Sequence, residues 1–228
     1  CDIRGTVVET RLKELAGEAR GERKVPMLKG FDVSRYNGAI DAKAAAEAGY
    51  VFGFTRAGGG PSYMDPTLET NLQKMRDAGL VAGIYFYLTD EEPDRQARNL
   101  LEIVKAIGGL RTGEMVAIDV EEPAGKGNLL APVRRVFNLV EDGLGFPEGL
   151  YSRAGFMREH GLCDESLAKY WLWLAQYGPN PPEPPAPWTV VSFWQNSSTG
   201  NVPGVPSVHD DTNIAFISRE RLPLLGKP

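Results

Sequence analysis

The sequence predicts an α/β barrel, on three observations. From Val25 onward, short and nearly continuous apolar runs alternate with helix-like segments. Four such strand–helix units follow one another. The last third keeps its strands but joins them through Pro-rich loops, notably 179–187, that leave little room for long helices. Continuous apolar runs mark strands buried on both faces, and strand–helix alternation marks a parallel sheet with right-handed crossovers.

Leu28–Ser34 reads as the first strand, followed by an Ala-rich helix over Ala42–Ala48 that Gly49 stops. Tyr50–Arg56 is the second strand and runs into Gly58–Gly60, expected as a tight turn at a cleft rim. That loop lacks the Lys-Ser/Thr of a phosphate loop and the spacing of a dinucleotide fingerprint. A helix over Pro66–Ala78 is expected, with Asp65 as its N-cap and Pro66 at its first position. Leu80–Leu88 is a strand, Pro93–Ile107 a helix, Met115–Val120 a strand, Asn128–Asp142 a helix, and Gly149–Ser152 begins another strand. Tyr170–Tyr177, Thr189–Gln195 and Thr212–Phe216 complete the strands. No repeat of 20 to 50 residues is apparent.

With 228 residues, 42% of them hydrophobic, one large domain fits better than two small ones. The formal net charge is −5 and no stretch is strongly basic, which argues against nucleic acid as a partner. No apolar run approaches the roughly 20 residues of a membrane span. Residues 1–24 are charged and unlike the rest, and read as a linker or the remnant of an upstream module, leaving 25–228 as the barrel. Cys1, where a native chain starts with Met, fits removal of a leader or a piece of a longer protein. The second cysteine, Cys163, reads as a core or loop residue. No metal site and no cofactor are indicated, and His160 and His209 read as surface or loop residues.

Barrel strands present their C-terminal ends to the active site. Asp32 follows the first strand, Asp119 and Glu121 end the fourth, and Asp211 begins the last. In a strand, side chains at i and i+2 share a face about 7 Å apart, so Asp119 and Glu121 form a carboxyl pair at the mouth. Close like charges raise one pKa and can keep one carboxyl protonated as a general acid, the arrangement glycoside hydrolysis needs. The competing reading is a structural pair that holds loops. A second Asp-x-Glu, Asp90 and Glu92, lies in a polar run before a helix start, where acids are favoured anyway. Arg56 ends the second strand and fits either an ion pair with a site acid or substrate binding.

Several blocks then recur in a particular order. They are Lys29–Ser34 with Asn37–Asp41, Arg56–Gly58 with Tyr63, Asp65-Pro66 and Asn71, Ala78–Leu80 with Gly83–Phe86, and Ile118–Glu121. Leu150–Ser152, Leu172–Tyr177, Trp194-Gln195, Gly200–Gly204 and Asp211–Asn213 follow. This ordered set, over about residues 28–217, resembles the lysozymes of glycoside hydrolase family 25, which include fungal, streptomycete and phage muramidases.

The resemblance implies an irregular TIM-like barrel of about five β/α units followed by three strands with few helices. It implies cleavage of the β-1,4 bond between N-acetylmuramic acid and N-acetylglucosamine in bacterial cell-wall peptidoglycan, outside the cell or in the wall. By position, Glu121 would be the general acid, Asp119 would orient the muramic N-acetyl group, and Asp32 and Asp211 would tune the pair and bind substrate. Substrate assistance by the acetamido group is favoured over direct attack by water. Tyr85, Tyr151 and Trp173, near strand ends, would contact the sugars, although barrel strands bury aromatics in any case.

There are departures from the family pattern. Ala42 follows Asp41 where members often have Trp. Phe86 stands where many have His, a change expected to alter sugar contacts. His209-Asp210-Asp211 offers two aspartates, of which Asp211 is preferred because Asn213 follows two residues on. The alternatives are a non-catalytic glycan-binding module on the same barrel and a chitin-type hydrolase. Retention of all four acids argues against the first, and the Asp-Val-Glu strand with its Asp-x-Asn ending against the second.

Overall fold

A computed structural model of the protein describes residues 27–121 and 127–228. The expected linker over 1–24 and Cys1 lie outside them. Eight strands close into a barrel: β1 (Leu28–Val33), β2 (Tyr50–Gly59), β4 (Val81–Tyr87), β5 (Met115–Asp119), β6 (Gly149–Ser152), β7 (Trp171–Ala175), β8 (Phe193–Gly200) and β9 (Asp210–Ala215). A two-residue strand, β3 (Tyr63–Met64), hangs on the far edge of β2. Neighbours from β1 through β8 pair in parallel. Of the eight barrel strands only β9 runs antiparallel, between β8 and β1, and the short β3 is antiparallel to β2.

The helices are α1 (Ala42–Glu47), α2 (Leu68–Asp77), α3 (Pro93–Ala106), α4 (Leu130–Leu144) and α5 (Ala154–Glu159). Each follows one of the first five barrel strands, so five β/α units precede three strands joined without long helices.

Period-2 alternation divides the strands between two cores. Outward residues such as Phe31, Ile84, Val116, Ile118, Leu150 and Leu172 pack under the helices in one continuous layer. Inward residues, among them Phe52, Phe54, Met115, Ala117, Trp171, Trp173 and Phe193, fill the barrel itself. The rings fit because their neighbours lack side chains. A Cβ on Gly83 would meet the Phe54 ring at 2.4 Å, and one on Gly149 would meet Trp171 at 2.2 Å. At the base, Leu222 and Leu225 of a 3-10 turn join this inner core. Lys227 exchanges backbone hydrogen bonds with Gly113 and Glu114 there. A packed interior of this kind leaves only the mouth for a ligand.

Several boundaries differ from the sequence reading, three of them for a tertiary reason. Asp65 is not a helix N-cap. Its carboxylate accepts from the Thr67 backbone N–H and hydroxyl and from the Arg35 N–H, making a turn that holds Pro66 outside a helix starting at Leu68. The segment 189–192 is not strand, and β8 instead runs on to Gly200, because β9 folds back along it beyond the reach of β7. Gly58 and Gly59 continue β2 against β3, and the turn falls at Gly60.

Candidate active site

Inward-facing residues near the C-terminal ends of the parallel strands, with the start of β9, open onto a pocket at that end of the barrel. Asp32, Tyr85, Asp119, Glu121, Tyr151, Trp173, Tyr177, Gln195 and Asp211 line about 420 Å³ of empty space, including its open mouth. All seven residues singled out from the sequence are among them. Asp119 is the last residue of β5, and the chain leaves the strand before Glu121. Asp32 and Asp211 are register partners on β1 and β9.

Asp210 points elsewhere. It is fully buried and accepts from the Val202 N–H and the Ser207 hydroxyl, so it staples the loop that precedes β9. Adjacent residues of a strand face opposite ways, which is why only one of this aspartate pair reaches the pocket. The same rule corrects the expectation for Phe86. It faces the helices, buried in the outer core, while Tyr85 faces the pocket, so Phe86 cannot touch a sugar there.

Asp32 is held by an ordered set of amides. The Asn213 Nδ2 donates to its Oδ2 at 2.6 Å and the Gln195 Nε2 donates to the same oxygen at 3.0 Å. Both amides are oriented from behind. Trp173 Nε1 donates to Asn213 Oδ1 at 2.8 Å. The Tyr151 and Tyr177 hydroxyls donate to Gln195 Oε1 at 2.9 and 3.1 Å. With their carbonyls occupied by donors, the two amides can offer Asp32 only N–H groups. Trp173 is thereby a floor for the pocket. Its ring stacks on Phe54 at 4.5 Å and meets Tyr151 edge-on at 4.7 Å.

Gln195 and Asn213 are register partners, and Gln195 follows inward-facing Phe193 by two residues. A polar residue at an inward position of an apolar strand was the available signal for Gln195. Tyr177, past the end of β7, carried no such signal.

The electrostatics are those of acids taken out of water together. Burial raises the Asp32 carboxyl to about 6, against the lowering effect of the two amides, and the nearby charge of Glu121 adds to the rise. Burial, then Asp32, Glu121 and Asp210, push Asp211 to about 8. Burial and the Glu121 charge hold Asp119 well above the usual carboxylate range. Its Oδ1 has no hydrogen-bond partner among the described residues. The cluster therefore retains protons at neutral pH. Tyr85 and Tyr151 are pushed up by burial and by the same acids, and remain neutral.

Arg56 forms no ion pair with a site acid among the described residues. Its Nε approaches the Gly58 carbonyl at 3.4 Å, and its guanidinium lies over Tyr87 and Tyr63. His209 is exposed, and His160 Nδ1 lies 2.8 Å from the Gly127 carbonyl. No group of His, Cys, Asp and Glu able to hold a metal occurs among the described residues.

The model of glycosyl hydrolases family 25 matches residues 31–205. The chain belongs to this family. Over 186 residues it is 28% identical to the autolytic lysozyme of Clostridium acetobutylicum, covering 80% of this chain and 54% of that protein. The chain thus spans about half the length of this curated relative. Two solved lysozyme structures share its fold. The bacterial lysozyme from Streptomyces coelicolor superposes with a TM-score of 0.78 at 23% identity, over 89% of this chain and 98% of that one. The family 25 lysozyme from Aspergillus fumigatus superposes with a TM-score of 0.74 at 22% identity, over 89% and 100%. No described helix of this family 25 barrel is long and apolar enough to cross a membrane.

Proposed function

We propose that this family 25 barrel is a muramidase that cleaves the β-1,4 bond between N-acetylmuramic acid and N-acetylglucosamine in peptidoglycan, acting in the wall or outside the cell. The observation that carries the reading is the gathering of Asp32, Asp119, Glu121 and Asp211 in one pocket whose other walls are neutral hydrogen-bonding side chains. Family membership supplies the substrate class.

In this reading Glu121 gives its proton to the glycosidic oxygen as the bond from that oxygen to the anomeric carbon breaks. The carbonyl oxygen of the substrate's own acetamido group forms the new bond to that carbon. Asp119, whose buried Oδ1 lacks a partner among the described residues, accepts the acetamido N–H. Water then attacks the anomeric carbon, returns its proton to Glu121 and restores the acetamido group, with net retention. Asp32 and Asp211 keep the cluster charged with protons and hydrogen-bond the sugar. Tyr85 supplies a neutral donor, while the Tyr151 hydroxyl, which donates to Gln195 Oε1, presents only its oxygen as an acceptor.

The test is clearing of purified peptidoglycan by wild type and Glu121→Gln, with mass spectrometry of the fragments. Clearing by wild type with muramic acid at the new reducing ends, and a loss of about 10²- to 10⁴-fold in the variant, is expected. If both proteins bind walls and neither cuts them, the non-catalytic glycan-binding module replaces this reading.

A further inference from the structure

Beside the pocket, two arginines and three tyrosines form a ladder. The Arg35 guanidinium lies 4.8 Å from the centroid of the Tyr36 ring and 5.3 Å from that of Tyr63. The Arg56 guanidinium lies 5.6 Å from Tyr63 and 4.9 Å from Tyr87. The ladder is continuous with the acid pocket. Arg56 pairs in register with Tyr85, and Tyr87 with Asp119, and both partners line the pocket. Arg35 lies three residues past Asp32, in the 3-10 turn that follows β1. The outer end is open to solvent, with Tyr36 73% exposed.

The stacking decides what the ladder can bind. A neutral sugar needs an uncovered aromatic face, and each of the three rings here has a guanidinium over one of its faces. Arg35 spends one terminal N–H on the Tyr36 hydroxyl and Arg56 directs its Nε at the Gly58 carbonyl, and the remaining N–H groups of each guanidinium match a carboxylate. Among the described residues neither guanidinium is in an ion pair. The nearest acid on the strip, Asp65, is buried and already accepts from the Arg35 and Thr67 backbone N–H groups and from the Thr67 and Tyr63 hydroxyls. The protein, which carries a net charge of −5, thus places two arginines that make no ion pair among the described residues beside four acids at the mouth.

We propose that this ladder is a subsite for the carboxylate-bearing peptide that hangs from the lactyl group of muramic acid. The inference rests on the peptidoglycan reading above and deepens it. Glycan occupies the neutral and acidic pocket, while its anionic peptide lies across Arg56 and Arg35, so wall that carries peptide is held more tightly than bare glycan.

The test compares hydrolysis of purified peptidoglycan with its peptides intact and of the same strands stripped of peptide by an amidase. The full chain is used as wild type, Arg35→Ala and Tyr36→Ala. Both positions are exposed, and the Arg35 backbone contact to Asp65 survives substitution. Arg35→Ala is expected to raise apparent KM on intact wall about tenfold with kcat unchanged, the size of one lost charge-assisted hydrogen bond. Arg35→Lys should recover part of it, and stripped strands should show no difference between the proteins. An equal loss on both substrates would make the ladder a glycan subsite and overturn the proposal, as would no loss on either. If wild type cuts neither substrate, the muramidase reading itself falls and takes this inference with it.

Discussion

At the base of the barrel, where β5 begins, Glu114 is buried and answered. Arg76 of α2 grips it through Nε at 2.6 Å and through its terminal nitrogen at 2.8 Å, and the Arg111 N–H donates at 2.7 Å. At the opposite end of the same strand, Asp119 is buried and its Oδ1 goes unanswered among the described residues. One strand thus carries a matched carboxylate at its start and a mismatched one at its end. Isolated buried charge is costly and is avoided unless something outside the fold will meet it. The base of this barrel serves stability and the mouth serves a ligand, in line with the general division of labour between the faces of β/α barrels.

Breaking the matched end should have the largest effect. Arg76→Ala strands Glu114 in the interior and is expected to cost about 3–5 kcal/mol of stability, read by urea denaturation, while kcat of the folded protein stays unchanged. Loss of activity without loss of stability would erase the distinction between the two ends. Relieving the mismatched end should do the reverse. Asp119→Asn is expected to reduce hydrolysis by about 10²-fold or more while the melting temperature holds or rises. A large drop in melting temperature instead would show that Asp119 is structural.

Glu148 sharpens the contrast because it breaks the pattern. It lies at the base, before β6, fully buried with neither carboxyl oxygen partnered among the described residues. Burial holds its carboxyl well above the ordinary value, Glu141 adds to the rise, and Lys169 opposes it. Lys169 is committed to Glu141, which also accepts from the Tyr170 hydroxyl. Glu148→Met, close in shape and without the carboxyl, is expected to stabilise the fold by about 1–2 kcal/mol at pH 7.5 and by little at pH 4. Equal stability at both pH values would mean that Glu148 is met by a donor after all.

The smallest and most diffuse effect is on pH dependence. Asp32, at about 6, Asp211, at about 8, Asp119 and Glu148 all have folded-state values above their ordinary ones. The folded state therefore binds more protons than the unfolded state between the ordinary carboxylate range and these raised values. The contribution of these groups should be full below about pH 4 and decline as pH rises toward about 8. Thermal melts across that window would show it, and Asp211→Asn should flatten the decline.

Much of this was legible in the residues because strand periodicity is strict. Once β5 is a strand ending at Asp119, the placement of that acid at the mouth follows, with Glu121 two residues beyond. So does the separation of Asp210 from Asp211, which sequence alone left open. The failures came where tertiary contacts override local signals. Asp65-Pro66 looks like a helix start, but Asp65 is drawn into a turn shared with the Arg35 N–H, 30 residues away in sequence. The extension of β8 depends on which strand folds back along it. The Gln195–Asn213 clamp on Asp32 joins segments more than 160 residues apart, and no local pattern announces it. The ladder of Arg35, Tyr63 and Arg56 was invisible for the same reason.

The pairing of β9 with β1 has a consequence for the order in which the protein matures. Asp32 is among the first described residues to leave the ribosome and Asp211 among the last, yet the two are register partners and Asn213 supplies one of the two amides on Asp32. A nascent chain that already carries Asp119 and Glu121 still has an unsealed barrel and an unclamped Asp32. Under the proposed function, the wall-cutting pocket is therefore completed only when its final strand has been synthesised and docked, so a ribosome stalled before residue 210 releases a chain without the lytic site.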